Sequence, residues 1–189
     1  MMEITSKTTK EELIKQGHCA KQCGHCCTRS SGIVLPHEVK RIANHLKMNE
    51  EEFKNRLLEP HERFHTTHYR IKQKRRHPNI SGACTFLELT GKCKIHYAKP
   101  LYCKITTCQE HGHDAVIWFD LQHFVNPEDP QSIREWAEYL QHGKTIKGGE
   151  LHQLVPHRQK LKWMLDYGDL QVTSDEIAKR LKKELREND

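Results

Sequence analysis

Cysteine is the residue type whose number and spacing most clearly predict chemistry in this chain. The eight cysteines fall in two tight groups, and none lies elsewhere among the 189 residues. The groups are Cys19, Cys23, Cys26 and Cys27, then Cys84, Cys93, Cys103 and Cys108. Thiolates a few residues apart can surround one metal ion or cluster, and a distant second group can complete the coordination. The spacing therefore predicts a thiolate metal site with all eight cysteines as candidate ligands.

Structural disulfides are the alternative use of these cysteines, and they require an oxidising compartment. Residues 1–16, MMEITSKTTKEELIKQ, interleave acids with lysines and lack the apolar stretch of a secretory signal. The most apolar run, Ala115 to Phe119, is far shorter than the roughly 20 residues of a membrane-spanning helix. We therefore expect a cytoplasmic protein with no membrane association, whose thiols stay reduced.

The spacing inside each group leaves the identity of the metal open. Cys26 and Cys27 are adjacent and cannot easily point at one small ion, so one of them could serve a second site, donate a weak hydrogen bond or pack in the core. Cys23-x2-Cys26 and Cys103-x4-Cys108 could form the two knuckles of a zinc site. Eight thiols exceed one zinc site, so we favour an iron–sulfur cluster of the [4Fe-4S] type, with zinc as the alternative.

Histidines add further candidate ligands, because the chain has 15 of them. His61, His65 and His68 stand for the majority, which lie in polar stretches and are expected to be solvated. Four others flank the cysteines and are better candidates: His18, His25, His111 and His113.

Short elements with long connections must position the cysteines. The pattern predicts helices over residues 8–16, from Pro36 to about residue 46, and from residue 50 to 58, where Pro60 ends the helix. One or two strands beside loops are expected in residues 61–79. Turns are expected at 81–82 and 90–91, and a short helix or turn near Pro100.

The region after the cysteines combines one apolar segment with helical patterns. Residues 115–125 predict a buried strand, and Ser132 with Glu135 forms a capping box that predicts a helix. Further helices are expected over 156–166 and from a second capping box, Thr173 and Glu176, to the end. The fold class is therefore α+β. We expect an N-terminal helix or arm (1–17), a small irregular cysteine-rich metal domain (18–112), and an extension with one strand and mostly helices (113–189).

Composition and charge narrow the possible partners. Only 35% of residues are hydrophobic and 30% are charged, which predicts a thin core that bound metal would help to stabilise. The net charge is +6, and five basic residues cluster at Arg70, Lys72, Lys74, Arg75 and Arg76. Such a run could contact nucleic-acid phosphates. Few aromatic residues are interleaved for base stacking, so an exposed strand or loop is the simpler explanation.

Two stretches resemble a known family: CGHCCTRSSGIVLPHEVKRIANHL from Cys23 to Leu46 and CTFLELTGKCKIHYAKPLYC from Cys84 to Cys103. They are similar to the cysteine-cluster proteins described as zinc- or iron-chelating, the YkgJ-like group. The first spacer is one residue longer than in that family, so Cys19 matches its pattern less well than the other cysteines do. His96 and Lys99 stand where the family has tyrosine and arginine, and Cys108 lies beyond its usual motif. The resemblance implies a zinc or iron–sulfur protein and no particular reaction.

Three functions follow from these patterns. The first is a metal-cluster protein with a redox, sensing or accessory role and an unknown protein partner. The second is a zinc-stabilised module that binds protein or nucleic acid. The third is an enzyme similar to the flagellin lysine methylases, which lie within the wider resemblance and carry a related cysteine cluster. Separately, Cys19-x3-Cys23-x2-Cys26 has the spacing with which radical S-adenosylmethionine enzymes hold their cluster. The barrel of alternating strands and helices that radical chemistry requires is not predicted here, and no catalytic residues are assigned.

Overall fold

The structure, a computed structural model, describes residues 3–16, 24–75, 82–108 and 111–166. Several predicted features lie outside this part: Cys19, Cys23, His18, Arg76 and the helix expected from Thr173. The helices of the described part are α1 Lys10–Gln16, α2 Val39–His45, α3 Glu50–Leu57, α4 Leu101–Ile105, α5 Gly112–His123, α6 Pro130–His142, α7 Leu151–Leu154 and α8 Arg158–Asp166. Its strands are β1 Ile33–Val34, β2 Leu58–Arg63, β3 Thr66–Ile71, β4 Gln73–Lys74 and β5 Ala83–Cys84.

These elements confirm the predicted α+β class, with short antiparallel strands and a helical C-terminal part. The main sheet has the order β1-β3-β2, with Ile33 opposite Arg70 and Leu58 opposite Ile71. A second, two-stranded sheet pairs Gln73 with Cys84. Because β4 follows β3 after a single residue, this pairing carries Cys84 next to the end of the main sheet.

The turn between β2 and β3 has an unusual backbone. Phe64 and His65 both have positive φ, 48° and 57°, which non-glycine residues rarely adopt. Contacts with α6 hold the turn in place. The Phe64 ring lies edge-on to Trp136 at 5.1 Å between centroids, and the His65 N–H donates to the Glu135 carboxylate at 2.9 Å. The hairpin is therefore fixed by a helix about 70 residues away in sequence.

Two apolar clusters form the core. The smaller one lies around the sheet, α2 and the cysteine-rich segment, and includes Val34, Phe53, Ile71, Phe86 and Ile95. The larger one joins β1 and α4 to the C-terminal helices, and it also contains Ile4 and Leu13 from the N-terminal segment. The proposed division at residues 17 and 112 stays a prediction, although this cluster includes residues from all three segments.

The N-terminal residues are clamped onto the C-terminal half. Thr5 makes a parallel bridge with Lys147, and the Trp118 Nε1–H donates to the Thr8 carbonyl at 2.8 Å. The Gln122 side chain donates to the Ser6 carbonyl at 2.9 Å. We call residues 4–8 the N-terminal strap.

The predicted strand over residues 115–125 is wrong, because these residues lie mostly in helix α5. Ala115, Ile117, Trp118, Phe119 and Leu121 are all buried, so the helix is apolar on nearly every side. A segment buried all round shows no helical periodicity and cannot be told from a buried strand by pattern alone. Its twelve residues are longer than most buried strands, and that length was the usable signal.

The other helices predicted within the described ranges are confirmed, with differences at their ends, and the helix expected from Thr173 lies outside those ranges. Helix α6 starts before the predicted capping box, since its N-cap is Asp129, whose carboxylate accepts the Gln131 N–H at 3.0 Å. The Ser132 hydroxyl instead accepts the Asn126 N–H at 2.9 Å. Pro60 does not end α3, because the chain passes directly into β2 at Leu58. No helix in the described ranges has the length and apolarity needed to cross a membrane.

Candidate metal centre

A tight hairpin presents the first two cysteines of the second group, and we call residues 84–95 the cysteine hairpin. Leu87 bridges Cys93, the Glu88 N–H donates to the Lys92 carbonyl at 3.0 Å, and Gly91 has a φ of 79° in the turn. Cys84 and Cys93 begin similar turns. Each carbonyl accepts a backbone N–H three residues later, Leu87 for Cys84 and His96 for Cys93.

Backbone N–H groups also favour the thiolates of these two residues. Burial raises the pKa of the Cys84 thiol, and the N–H groups of Phe86 and Leu87 oppose that rise. The pKa of Cys93 is likewise raised by burial, and the Ile95 N–H opposes it. Donation from such turns to sulfur is a common feature of thiolate metal sites. The Cys-x8-Cys spacing alone does not predict that Cys84 and Cys93 act together, because their arrangement depends on the hairpin.

The first cysteine group lies against this hairpin. Cys26 and Cys27 occupy a 3-10 turn, His25–Thr28, whose start is Gly24 with a φ of 64°. A Cβ atom at residue 24 would lie 2.4 Å from the Gly91 carbonyl oxygen. Only glycine fits where these two chain segments meet, so the contact brings Cys26 and Cys27 next to Cys93.

Cys103 reaches the same place from α4. A Cβ atom at residue 32 would lie 2.1 Å from its sulfur, so Gly32 provides the space that the thiol occupies. The buried Glu38 carboxylate fixes the start of α4, because it accepts the Leu101 N–H at 2.8 Å and the Leu35 N–H at 3.1 Å. Neither Gly32 nor Glu38 was singled out from the sequence, since their role depends on contacts far along the chain.

Five thiols from the two groups line one pocket of about 180 Å³, which we call the inner pocket: Cys26, Cys27, Cys84, Cys93 and Cys103. Apolar side chains, among them Ile71, Phe86 and Ile95, complete its walls. A second and larger cavity of about 360 Å³, the outer pocket, shares four of these cysteines and adds Cys108. The structure thus brings all six described candidate cysteines to two adjoining pockets, as free thiols.

The inner pocket crowds five thiols together, and Lys99 is the basic side chain in its lining. The Cys26 and Cys27 sulfurs are 4.0 Å apart, and a hydrogen bond between them lowers the pKa of Cys26 and raises that of Cys27. Burial raises the pKa of Cys103 well above its ordinary value, and charge on Cys84, Cys93 and Cys26 raises it further. The Lys99 ammonium acts in the opposite direction. A bound cation would stabilise the thiolates by the same attraction, and far more strongly.

The donor set fits a thiophilic metal, although the side chains are not drawn together around one point. Among the described residues, no three cysteine, histidine or acidic side chains are arranged to hold an ion. Cys19 and Cys23 lie outside that part of the chain. Soft thiolates in an apolar pocket select zinc, copper(I) or iron–sulfur groups over magnesium or calcium. A volume of about 180 Å³ exceeds the roughly 30 Å³ of one water molecule, so the inner pocket has room for more than one ion.

The candidate histidines differ in whether they lie near the two pockets. His25 lies in the cysteine turn and is exposed. His111 and His113 line neither pocket, whereas His96, which replaces the family's tyrosine, lines the outer pocket. The signal that sequence reasoning did not use was the position of His96 directly after the cysteine hairpin.

The basic run makes contacts within the protein. Arg70 donates to the Glu59 carboxylate through Nε at 3.0 Å, and Arg75 joins the same carboxylate. The Lys72 ammonium donates to the Asn55 carbonyl at 2.7 Å, and Lys74 donates to the Leu87 carbonyl at 3.3 Å. These contacts give the four side chains a structural role between the sheet, α3 and the cysteine hairpin.

Comparison with protein families matches residues 18–128 to the CxxCxxCC family, described as "Putative zinc- or iron-chelating domain". Searches of curated proteins and of solved structures found no significant match. The matched region contains all eight cysteines and both pockets, and it covers more than half of the 189 residues. The chain therefore belongs to the CxxCxxCC family of zinc- or iron-chelating domains.

Proposed function

We propose that this protein holds a thiolate-bound iron–sulfur cluster, of the [4Fe-4S] type, in the inner pocket and serves a redox, sensing or accessory role in the cytoplasm. The observation that carries the proposal is the convergence of five thiols from three separate chain segments on one apolar pocket. A [4Fe-4S] cluster takes four cysteine thiolates, as a structural zinc site does, and the volume of about 180 Å³ favours the larger of the two groups. When bound, such a cluster would supply one-electron transfer.

The residues of the chain have separate tasks in this proposal. Cys84, Cys93 and Cys103 provide buried or half-buried thiolates, and Cys26 or Cys27 provides a further one from the 3-10 turn. Cys19 and Cys23 are proposed as ligands from the sequence alone. The apolar walls keep water from the sulfurs, and backbone N–H groups on the cysteine hairpin stabilise their charge. A reducing cytoplasm would keep all these thiols free.

A zinc-stabilised module is the second candidate, and one observation favours it. Cys84 and Cys93 begin two similar turns on one hairpin, an arrangement that suits a closed zinc site with thiolates from elsewhere. In that case the protein would bind a partner without redox chemistry.

The test is metal and acid-labile sulfide analysis of anaerobically purified full-length protein, with its visible absorption spectrum. We expect iron and sulfide in near-equal amounts and a brown protein. Colourless protein with stoichiometric zinc would replace this proposal with the zinc module. Protein with neither metal would overturn the metal centre.

Single cysteine variants assign the ligands. We expect Cys84→Ser, Cys93→Ser and Cys103→Ser to lose most of the bound metal, because each removes a thiol from the inner pocket. Cys108→Ser is the matched control, since Cys108 is exposed and lines only the outer pocket. Full metal occupancy in the Cys103 variant would contradict its assignment.

A further inference from the structure

The surface around the outer pocket has two features of a docking site. Of the described large apolar side chains, only Ile14, Leu89 and Tyr97 are exposed, and Leu89 and Tyr97 stand out at 110% and 91% relative exposure. Leu89 lies at the tip of the cysteine hairpin, between Glu88 and Gly91, and Tyr97 itself lines the outer pocket. Tyr97 therefore borders the opening above the cysteines, and Leu89 lies on the turn between Glu88 and Gly91, which both line it.

Hydrogen bonds and a ring contact hold the segments that carry Leu89 and Tyr97, so these side chains are not exposed merely because they lie on a loose loop. The Gly91 N–H donates to the Glu88 carbonyl at 3.0 Å, and the Lys94 N–H donates to the Phe86 carbonyl at 2.9 Å. The Tyr97 ring lies edge-on to the His96 ring at 5.6 Å between centroids. A firmly held hairpin that presents leucine to water resembles a preformed anchor, because little ordering is needed when a partner covers it.

The charge of the same rim is positive. Lys92, Lys94 and Lys99 line the outer pocket, and Glu88 is the acidic residue among its lining. Lys92 and Lys94 are exposed. None of the three lysines is in an ion pair within the described part of the chain. Lysines placed around apolar anchors favour a partner with acidic residues around a complementary apolar patch.

We propose that Leu89, Tyr97 and the lysine rim form a docking site for an acidic protein, which would lie directly over the outer pocket and its cysteines. This inference rests on the proposed function, since it names the partner class of the same metal centre. Single-stranded nucleic acid suits the surface less well, because leucine offers no face for base stacking and Glu88 would repel phosphate. The described residues of the basic run, Arg70, Lys72, Lys74 and Arg75, do not line the outer pocket.

Site-specific photo-cross-linking tests the proposal in the source cells. A benzophenone amino acid replaces Leu89 or Tyr97 in the full-length, metal-loaded protein, and Ile14 on α1 serves as the control position. The protein captured from both test positions and not from Ile14 is then purified, and its binding to the full-length protein is titrated. Oligothymidine is titrated in parallel as the nucleic-acid probe.

We expect an acidic captured protein whose affinity falls about tenfold or more with Leu89→Ser plus Tyr97→Ser. Lys92→Glu plus Lys94→Glu should slow association and reduce its salt dependence. Matched changes on α1, Ile14→Ser and Lys10→Glu plus Lys15→Glu, should leave binding unchanged. No specific capture, a basic partner, unchanged affinity in the Leu89 and Tyr97 variant, or tighter binding of oligothymidine would overturn the proposal.

Metal analysis of every variant separates this inference from the proposed function. Leu89 and the two exposed lysines are not proposed ligands, so their variants should keep the metal content of the parent. A zinc-containing protein that still shows the expected docking would refute the iron–sulfur proposal and leave the docking site standing. A cluster-containing protein that does not show this docking would refute the docking site and leave the iron–sulfur proposal standing.

Discussion

At the scale of single residues, glycines decide whether the thiols can meet. Gly24 and Gly32 each lie where a Cβ atom would overlap with another segment, the Gly91 carbonyl in one case and the Cys103 sulfur in the other. The sequence motif identifies the cysteines, but nothing in it shows which glycines leave room for them. The sequence therefore predicts the candidate ligands, but it does not predict which glycines leave the space that these thiols need.

Gly32→Ala should reduce metal binding without removing any thiol. The added Cβ would lie 2.1 Å from the Cys103 sulfur and would displace it from the inner pocket. Changes in residues that hold the ligands of a metal in place lower metal affinity by roughly 10- to 100-fold. Metal content and competition with a chelator measure the loss.

Gly149→Ala is the matched control, because its Cβ would lie 2.2 Å from the Thr145 hydroxyl, away from both pockets. We expect this variant to be less stable but to keep the metal affinity of the parent. Equal loss of metal in the two variants would show that Gly32 acts only through general stability.

At the scale of elements, pattern and length predicted most helices, and long-range contacts determined the rest. Helices α2, α3, α6 and α8 carry apolar stripes that their sequences reveal. Helix α5 is buried on almost every side, so its pattern could not separate helix from strand. The turn at Phe64 and His65 could not be predicted either, because a positive φ is rare for a phenylalanine and both residues depend on contacts with α6.

Phe64→Ala should destabilise the protein by about 3 to 5 kcal/mol, because it removes a buried ring from its contact with Trp136. Urea unfolding measures the change. Leu89→Ala, which shortens an exposed side chain of the cysteine hairpin, should change stability by less than about 0.5 kcal/mol. A similar loss in both variants would contradict the role given to the turn.

At the scale of the whole molecule, the buried Asp120 and the half-buried His123 of α5 make opposite contributions to the pH dependence of stability. Burial lowers the pKa of His123 to about 4, with nearby His68 and His37 contributing. Burial raises the pKa of Asp120 to about 7, and Arg63 at 2.8 Å opposes the rise. Between about pH 4 and 6.5 the unfolded chain holds the proton of His123, so this group makes the fold more stable as pH rises. Over about pH 4 to 7 the folded chain holds the proton of Asp120, so this group makes the fold less stable as pH rises.

Single substitutions should separate the two effects. With His123→Gln, the free energy of unfolding should fall relative to the parent as pH rises through this range. With Asp120→Asn it should rise relative to the parent, each change being on the order of 2 kcal/mol. Urea unfolding of metal-free protein between about pH 4.5 and 6.5 measures both slopes. Parallel pH profiles in the parent and both variants would exclude these groups as the source.

The N-terminal strap has a consequence for how the chain is made. Its partner Trp118 lies 110 residues after Thr8, so the ribosome completes that partner roughly 5 to 20 s after the strap itself. All the cysteines are synthesised before α5 is finished. Until α5 has been synthesised, the strap therefore has no partner to dock against, and the thiols are already exposed to the cell. Delivery of metal during translation, before the last helices close over α5, would shorten the period in which those thiols can oxidise.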